Sequence, residues 1–207
     1  MKPVVRMTAA KGLLRLQTRV YLDIRVENES EVRHLIEDGI RRIATHSPYQ
    51  TNGRTLFVES EMEYVEAFSV DAVNVRIVDQ PLIRRHGVLR FWNTVSRAYP
   101  DARRCGLFKW IRRALRFPDV VINLGGAKID EPSRYDYLCS VVAHEFAHVW
   151  GCGDQYKLRN EQKRKPDVAD GDLMYRTGAS QRMQPYHIAR LYAFAKKGKL
   201  PLRKIVE

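Results

Sequence analysis

Cysteine is scarce in this chain, which contains three in 207 residues. Cys105, Cys139 and Cys152 are an odd number at irregular spacing, unlike the framework of a small disulfide-stabilised domain or the paired spacing of a zinc knuckle. We therefore expect reduced thiols. Cys139 lies on the apolar side of a predicted helix, where a small buried side chain is expected. Cys152 lies between glycines in a predicted turn, a position that also allows its thiol to face a neighbouring site.

Long hydrophobic stretches are absent as well. No run approaches the roughly 20 apolar residues that cross a bilayer, so we expect no membrane span. The segment 1–6 contains Lys2 and Arg6, and the charges continue with Lys11, Arg15 and Arg19, so no hydrophobic region of a signal peptide is apparent. The sequence therefore predicts a cytoplasmic protein, or one exported by a route without a signal peptide.

Acidic residues are in the minority, with 24 Asp and Glu against 36 Lys and Arg and a formal net charge of +12. The excess is local, because the stretch 84–116 holds ten basic residues and one acid, Asp101, and so carries nine of these charges. Apolar residues recur at helical spacing over 88–99 and again over 107–115. The stretch is therefore predicted to be a basic helical insertion.

Cations clustered in this way attract polyanions and gain affinity from counterion release. The insertion is therefore a candidate site for nucleic acid, an anionic membrane surface or an acidic protein. The alternative is a solvated helix face whose aromatic residues, such as Trp92, Phe108 and Trp110, form the buried side. The candidate polyanion-binding residues are Arg103, Arg104, Arg112, Arg113 and Arg116.

The most specific pattern is the run from His144 to Asp154, which reads His-Glu-Phe-Ala-His-Val-Trp-Gly-Cys-Gly-Asp. Residues at positions i and i+4 lie one helical turn apart, so His144 and His148 can bind one metal ion while Glu145 lies beside them near a bound water. A catalytic zinc has three protein ligands and one open position. The run therefore predicts a zinc site, although a helix can also carry two histidines for packing or capping.

The third ligand is expected just after this helix. Gly151 can adopt the positive φ that ends a helix and turns the chain back under the metal. Asp154 then follows, at the place where the zinc ion needs its third protein ligand. Glu161 is a weaker candidate, because Lys165 stands where the glutamate motif of another HExxH clan has an aspartate. The residual candidates are Asp170, Asp172 and His187.

The extended motif HExxHxxGxxD resembles that of the metzincin zinc endopeptidases, and an aspartate at its end, followed by Gln-Tyr, is most similar to the snapalysin type. The resemblance implies that Asp154 is a carboxylate ligand. Metzincins also have a methionine turn beneath the metal, and the segment 172–175, Asp-Leu-Met-Tyr, resembles this turn with Met174 as its thioether. The matching stretch covers about residues 119–196.

The order of the predicted elements fits the same family. These elements are a strand over 20–26, a helix over 30–43, strands over 55–58, 73–78 and 120–124, a helix over 133–150 and a further helix that begins at Pro185. The expected class is α+β and metzincin-like: a twisted mixed sheet with backing and active-site helices, the basic helical insertion, and a small C-terminal subdomain ending in a helix. We expect one catalytic domain over 1–207, with an upper subdomain at 1–151 and a lower subdomain at 152–207.

These features predict a zinc-dependent endopeptidase that acts on proteins or peptides. Glu145 is the expected general base. Tyr175 and Tyr156 are candidate second donors to the oxyanion, although a tyrosine ring more often lines or packs a site. The edge of the 120–124 strand is a candidate binding site for an extended substrate. The alternative function is a nucleic-acid-associated binding protein that uses the basic 84–116 helices and in which the zinc is structural or vestigial. A related alternative is a protease that the same helices recruit to nucleic acid.

Overall fold

The computed structural model describes residues 5–45, 47–51, 53–69, 71–79, 97–98, 115–116, 118–125, 129–153, 156–157, 160–164, 171–175 and 181–198. The strands are β1 (Val5–Ala10), β2 (Leu13–Ile24), β3 (Tyr49–Thr51), β4 (Arg54–Tyr64), β5 (Val73–Val78), β6 (Arg97–Ala98), β7 (Val120–Asn123), β8 (Tyr156–Lys157) and β9 (Asn160–Arg164). The helices are α1 (Glu29–Thr45), α2 (Pro132–Trp150) and α3 (Pro185–Lys196).

The first seven strands form one mixed sheet organised around β2. The strand order is β3, β4, β2, β5, β7, β6, and β1 pairs separately with β2. β4 and β5 are parallel to β2, and β7 is parallel to β5, whereas β1, β3 and β6 are antiparallel to their partners. β1 pairs with residues 13–18 of β2 and β5 with residues 20–24, so one long strand joins two parts of the sheet. β8 and β9 form a separate antiparallel pair.

Alternating burial along β2 gives the sheet one largely apolar face and one charged face. Arg15 and Arg19 on the charged face form ion pairs of 2.9 and 3.1 Å with Glu59 and Glu63 of β4. Exposed pairs of this kind contribute about 0–1 kcal/mol, so the buried face accounts for most of the stability of this region. The buried positions of β2 are Leu14, Leu16, Thr18 and Val20.

Helices α1 and α2 pack closely against each other. A Cβ atom at Gly39 of α1 would lie 2.5 Å from Cβ of Val142 and 3.0 Å from the carbonyl oxygen of Cys139, both in α2. The missing side chain at position 39 therefore allows the two helices to approach. At the end of α2, the indole N–H of Trp150 donates a hydrogen bond of 3.0 Å to the hydroxyl of Thr18 in β2. Helix α2 is thus fixed by α1 along its side and by the sheet at its end.

Helix α3 packs on the hairpin formed by β1 and β2. Lys11 and Gly12 make the turn of this hairpin with φ values of 46° and 83°, the positive values that a tight turn between twisted strands requires. The backbone N–H of Gly12 donates to the hydroxyl of Tyr192 in α3 at 3.2 Å. The helix also contacts β3, so the described chain segments farthest apart in sequence lie together.

The predicted α+β class is confirmed, and outside the basic stretch 84–116 the predicted strands and helices lie within or overlap observed elements. The strand predicted over 20–26 is the end of the much longer β2, and β1 and β3 were not expected. Thr18, a buried polar residue, interrupts the apolar positions of β2, and β3 is only 3 residues long. Among the described helices, none combines the length and the apolar character needed to cross a bilayer.

The predicted helical insertion is wrong at two described points. Residues 97–98 form β6 rather than helix, and residues 115–116 form a turn. β6 pairs with β7 through Ala98 and Val120, so the edge expected on the 120–124 strand is covered there and β6 lies at the end of the sheet order. Backbone hydrogen bonding to β7 overrides the helical spacing of side chains. The remainder of 84–114 lies outside the described residues.

We expect Gly39→Ala to destabilise the protein by about 1–3 kcal/mol, the usual cost of overpacking a filled interior. The direction of the change in stability is informative, because in an unobstructed helix the same substitution stabilises the protein by about 1 kcal/mol. His34→Ala, at an exposed position of the same helix, is the matched control and should change stability by less than about 0.5 kcal/mol. Chemical denaturation measures both effects, and a Gly39→Ala variant as stable as the wild type would contradict the close approach of α1 and α2.

Candidate metal centre

Helix α2 carries the motif histidines into the interior of the protein. The helix begins at Pro132 and is buried almost continuously from Leu138 onward. His144, Glu145 and His148 are 7%, 6% and 5% exposed. A buried imidazole or carboxylate must have polar partners, because an unsatisfied polar group in the interior costs free energy. The partners of these side chains therefore indicate what the site can bind.

Each imidazole is oriented by a backbone carbonyl group. Nδ1 of His144 lies 2.8 Å from the carbonyl oxygen of Leu173, and Nδ1 of His148 lies 2.9 Å from that of Cys152. A carbonyl oxygen only accepts hydrogen bonds, so both Nδ1 atoms donate, and in a neutral ring Nε2 then has a lone pair. The two Nε2 atoms are 3.1 Å apart, and the rings are inclined at 88°. The nitrogens that a metal would use are therefore adjacent.

This arrangement fits one zinc ion. Zinc binds imidazole nitrogen at about 2.0–2.1 Å, so two ligands in tetrahedral geometry lie roughly 3.3 Å apart. The observed 3.1 Å between the two Nε2 atoms is close to this separation. The two carbonyls accept hydrogen bonds from Nδ1, the ring nitrogen that would not bind the metal, as the partners of zinc-binding histidines normally do. His144 and His148 therefore have the spacing and orientation of two zinc ligands.

The structure gives no third ligand among the residues that it describes. In those parts of the chain, no group of three or more His, Cys, Asp or Glu side chains is placed to hold a metal ion. Asp172 and His187, two residual candidates, pair with each other at 3.1 Å and form no such group with the histidines. Asp154, Asp170 and the side chain of Glu161 lie outside the described residues. Asp154 as third ligand stays a prediction.

The end of α2 provides one of the two carbonyls. Gly151 has a φ of 100°, which confirms the left-handed conformation predicted for it. Its N–H donates to the carbonyl of His148 and that of Cys152 to the carbonyl of Ala147, both at 2.9 Å. This pair of bonds closes the helix and turns the chain back. The carbonyl of Cys152 is thereby brought to Nδ1 of His148.

The predicted turn at 172–175 provides the other carbonyl. Leu173 and Met174 are 1% and 0% exposed, and the carbonyl of Leu173 accepts from His144. The turn is closed by a 3.1 Å bond from the N–H of Tyr175 to the carbonyl of Asp172. It therefore lies against α2, next to the histidine pair, with Met174 fully buried.

Of the two candidate oxyanion donors, only Tyr175 has a side chain among the described parts of the structure. Tyr175 directly follows Met174 and is partly buried. Tyr156 lies in β8, and its side chain is outside the described part of the structure. Their roles as donors stay predictions.

A buried carboxylate anchors the turn. Asp172 is 0% exposed; its Oδ1 accepts from the backbone N–H of Met174 at 2.8 Å, and its Oδ2 accepts from the hydroxyl of Tyr186. Nε2 of His187 lies 3.2 and 3.1 Å from the two oxygens. Burial by itself would raise the pKa of Asp172, but the bonds from His187, Tyr186 and Met174 outweigh it and lower the pKa. An ionised Asp172 therefore joins the turn to the first turn of α3.

Little in the sequence indicates this cluster. By sequence, Asp172 and His187 are residual candidates for the third metal ligand, and Tyr186 is not a candidate site residue. The available signal is positional, because Tyr186 and His187 occupy the first turn of a helix that begins with Pro185, close in sequence to an aspartate. The positive end of a helix favours a nearby carboxylate, so an acid in the preceding segment is a natural partner.

Two of the three cysteines confirm the expectation of reduced, structural thiols. Cys139 and Cys152 are free and buried. Burial raises the pKa of Cys139 to about 11 and that of Cys152 to about 12, so both thiols are protonated near neutral pH. Cys105 lies outside the described residues.

The candidate polyanion site is mostly beyond the described segments. Arg116 is exposed in a turn, with a φ of 49°, and its carbonyl accepts a 3.5 Å bond from Arg76. The other selected arginines lie outside the described residues, so polyanion binding stays a prediction. These are Arg103, Arg104, Arg112 and Arg113.

Comparisons of the chain with models of known protein families, with curated proteins and with solved structures found no match. A functional assignment therefore depends on the geometry of the histidine pair and of the segments that orient it.

We expect Asp172→Asn to lower the free energy of unfolding near neutral pH by about 1.5–3 kcal/mol, the contribution of hydrogen bonds to a charged group. The folded pKa of Asp172 is below the value of about 3.9 for an unfolded chain. The contribution of the ionised form is therefore complete above about pH 4 and is lost as the pH falls through the folded pKa.

Denaturation of wild type and variant between about pH 7 and about pH 3 tests this dependence. The stability difference between them should shrink in acid. Asp130→Asn, which changes an exposed carboxylate, is the control and should show a small difference throughout. A difference for Asp172→Asn that stayed constant down to the lowest pH would contradict the ionised, anchoring state.

Proposed function

We propose that the protein is a zinc-dependent endopeptidase in which His144, His148 and Asp154 bind the metal and Glu145 is the general base. The observation that carries the proposal is the pair of Nε2 atoms 3.1 Å apart, in rings that both donate through Nδ1 to backbone carbonyls. Such carbonyls fix the tautomer and orientation of zinc-binding histidines. Packing alone gives no reason to bring these two ring nitrogens together.

The residues around the pair support hydrolysis. Zinc bound there would lower the pKa of a water ligand and polarise a peptide carbonyl. Glu145 adjoins His144 on the same buried helix, and we propose that its carboxylate takes a proton from the attacking water and releases it to the leaving amine nitrogen. A structural zinc site does not require a base. Tyr175 and Tyr156 are the proposed additional donors to the developing oxyanion.

The order of the elements supports a metzincin-like form of this enzyme. Strand β2, helix α1 and strands β4 and β5 precede the helix that bears the motif, as the resemblance implies. The turn at 171–175 lies next to His144 with Met174 buried, where the resemblance implies a methionine turn, and α3 follows. We therefore propose a single catalytic domain divided at about residue 151, where the Gly151 turn ends α2.

The edge of the sheet supports a peptide as substrate. β6 stands at the end of the strand order and contacts α2, the helix that bears the histidine pair. An extended peptide can add to such an edge through main-chain hydrogen bonds, which depend little on its sequence. We propose that the substrate is a protein or peptide segment bound in extended form along β6.

Glu145→Gln is expected to bind one zinc ion and to lose peptide hydrolysis by about 10²–10⁴-fold, the usual contribution of a general base. Glutamine keeps the size and polarity of the side chain but cannot take the proton. Metal analysis and cleavage of a peptide library measure the two properties. Glu31→Gln, at an exposed position of α1, should retain both, and full hydrolysis by Glu145→Gln would contradict the assignment.

Asp154→Ala is expected to weaken zinc binding by more than the roughly 10–100-fold that loss of a second-shell contact costs, because it removes a direct ligand. His148→Ala should produce a comparable loss. Glu161→Ala and Asp170→Ala are the matched controls, since each removes another acid that follows the motif. Competition with a chromophoric chelator measures the affinities. If Glu161→Ala or Asp170→Ala loses zinc while Asp154→Ala keeps it, the third ligand is that other acid.

A further inference from the structure

The bond that orients His144 depends on one peptide group. Nδ1 of His144 donates to the carbonyl oxygen of Leu173 at 2.8 Å. That carbonyl and the N–H of Met174 belong to the same planar unit, so neither can turn without the other. The N–H of Met174 donates to Oδ1 of Asp172, also at 2.8 Å. The carboxylate, the peptide group and the imidazole therefore form one continuous chain of hydrogen bonds.

The carboxylate in this chain is itself held by α3. Asp172 is fully buried, and the hydroxyl of Tyr186 and Nε2 of His187 both donate to it. The backbone before this peptide group is also fixed, because the N–H of Leu173 donates to the carbonyl of Arg182 at 3.0 Å. Rotation of the Leu173–Met174 peptide would break the bond to Asp172 and the bond to His144 together.

We propose that Asp172 is a positioning residue for His144, acting through the Leu173–Met174 peptide group, with Tyr186 and His187 holding the carboxylate in place. The inference rests on the proposed function of His144 as a zinc ligand. A negative charge on the N–H of an amide strengthens its carbonyl as an acceptor, since linked hydrogen bonds polarise one another. A stronger acceptor at Nδ1 makes Nε2 a better metal donor and retains the tautomer that leaves Nε2 unprotonated.

The two histidines provide an internal comparison. His148 is oriented by the carbonyl of Cys152 at the end of α2, whereas the path from Asp172 leads to His144. A change at Asp172 should therefore alter the Nδ1 hydrogen bond of His144 and leave that of His148 as it is. A residue that only stabilised the fold would affect both histidines or neither.

The test uses the full chain with labelled histidine, first without metal and then with zinc. In nuclear magnetic resonance spectra of the metal-free protein, the Nδ1 proton of His144 should move upfield and exchange faster in Asp172→Asn, while that of His148 is unchanged. Zinc affinity of the variant should fall about tenfold or more, as it does when the second shell of a zinc site is disrupted. Asparagine keeps an oxygen for the N–H of Met174, so Asp172→Ala should lose more.

A milder pair of variants covers the case in which changes at Asp172 prevent folding. Tyr186→Phe removes one donor to Asp172 and should shift the His144 proton in the same direction. Tyr192→Phe removes a hydroxyl from the same helix that accepts from Gly12 instead, and it should leave both histidines and the zinc affinity unchanged.

The outcomes separate the two proposals. An unchanged His144 resonance in both Asp172→Asn and Tyr186→Phe would overturn the positioning role, even if zinc binds. If the His144 resonance shifts in the variants but the wild-type protein binds no zinc, the positioning role is supported and the zinc peptidase is overturned. Equal shifts at His144 and His148 would also overturn the inference, because they would indicate a general loosening of the site.

Discussion

Two imidazoles can be buried side by side only if their ring nitrogens are satisfied, because an unpaired polar group in the interior costs about 1–3 kcal/mol. In this protein, backbone carbonyls from two different segments meet that requirement at Nδ1. One carbonyl follows from the Gly151 turn that ends α2, and the other belongs to the turn at 171–175. The chain after the helix must therefore return to it twice. This constraint places the two Nε2 atoms 3.1 Å apart, which is the observation behind the proposed zinc site.

The remainder of the fold keeps α2 in a fixed position while these segments converge. Gly39 lets α1 approach α2 closely, and Trp150 ties the end of α2 to Thr18 in the central strand. The turn at 171–175 is held by Asp172, which α3 binds in turn. Rigid support of this kind is what a metal site needs, because ligands must keep their geometry in the absence of the ion. Sheet, helices and turns thus contribute to the position of a few nitrogen and oxygen atoms.

The parts of the structure that follow from local sequence could be predicted, and those that follow from distant contacts could not. The spacing of His144, Glu145 and His148 and the glycine after them identify a helix and its end within a few residues, and the same spacing predicts a metal-binding face. The strand at 97–98 depends instead on pairing with β7, which side-chain spacing does not report. The role of Asp172 depends on Tyr186 and His187, which reach it only after the chain has turned back. From sequence alone, a carboxylate that follows the histidine motif is easily interpreted as a metal ligand. The third ligand remains a sequence prediction because Asp154 lies outside the described residues.

The dependence of the turn on α3 also sets an order of events during synthesis. The residues of α2 are synthesised well before residues 185–196, and until those residues are available the carboxylate of Asp172 has neither Tyr186 nor His187 to hold it. Helix α3 must also reach back to Gly12, near the start of the described chain, before it is docked. The histidine pair would therefore reach its final geometry only after nearly all of the described chain had been translated. The proposed peptidase activity, which depends on that geometry, would therefore begin only once α3 has docked.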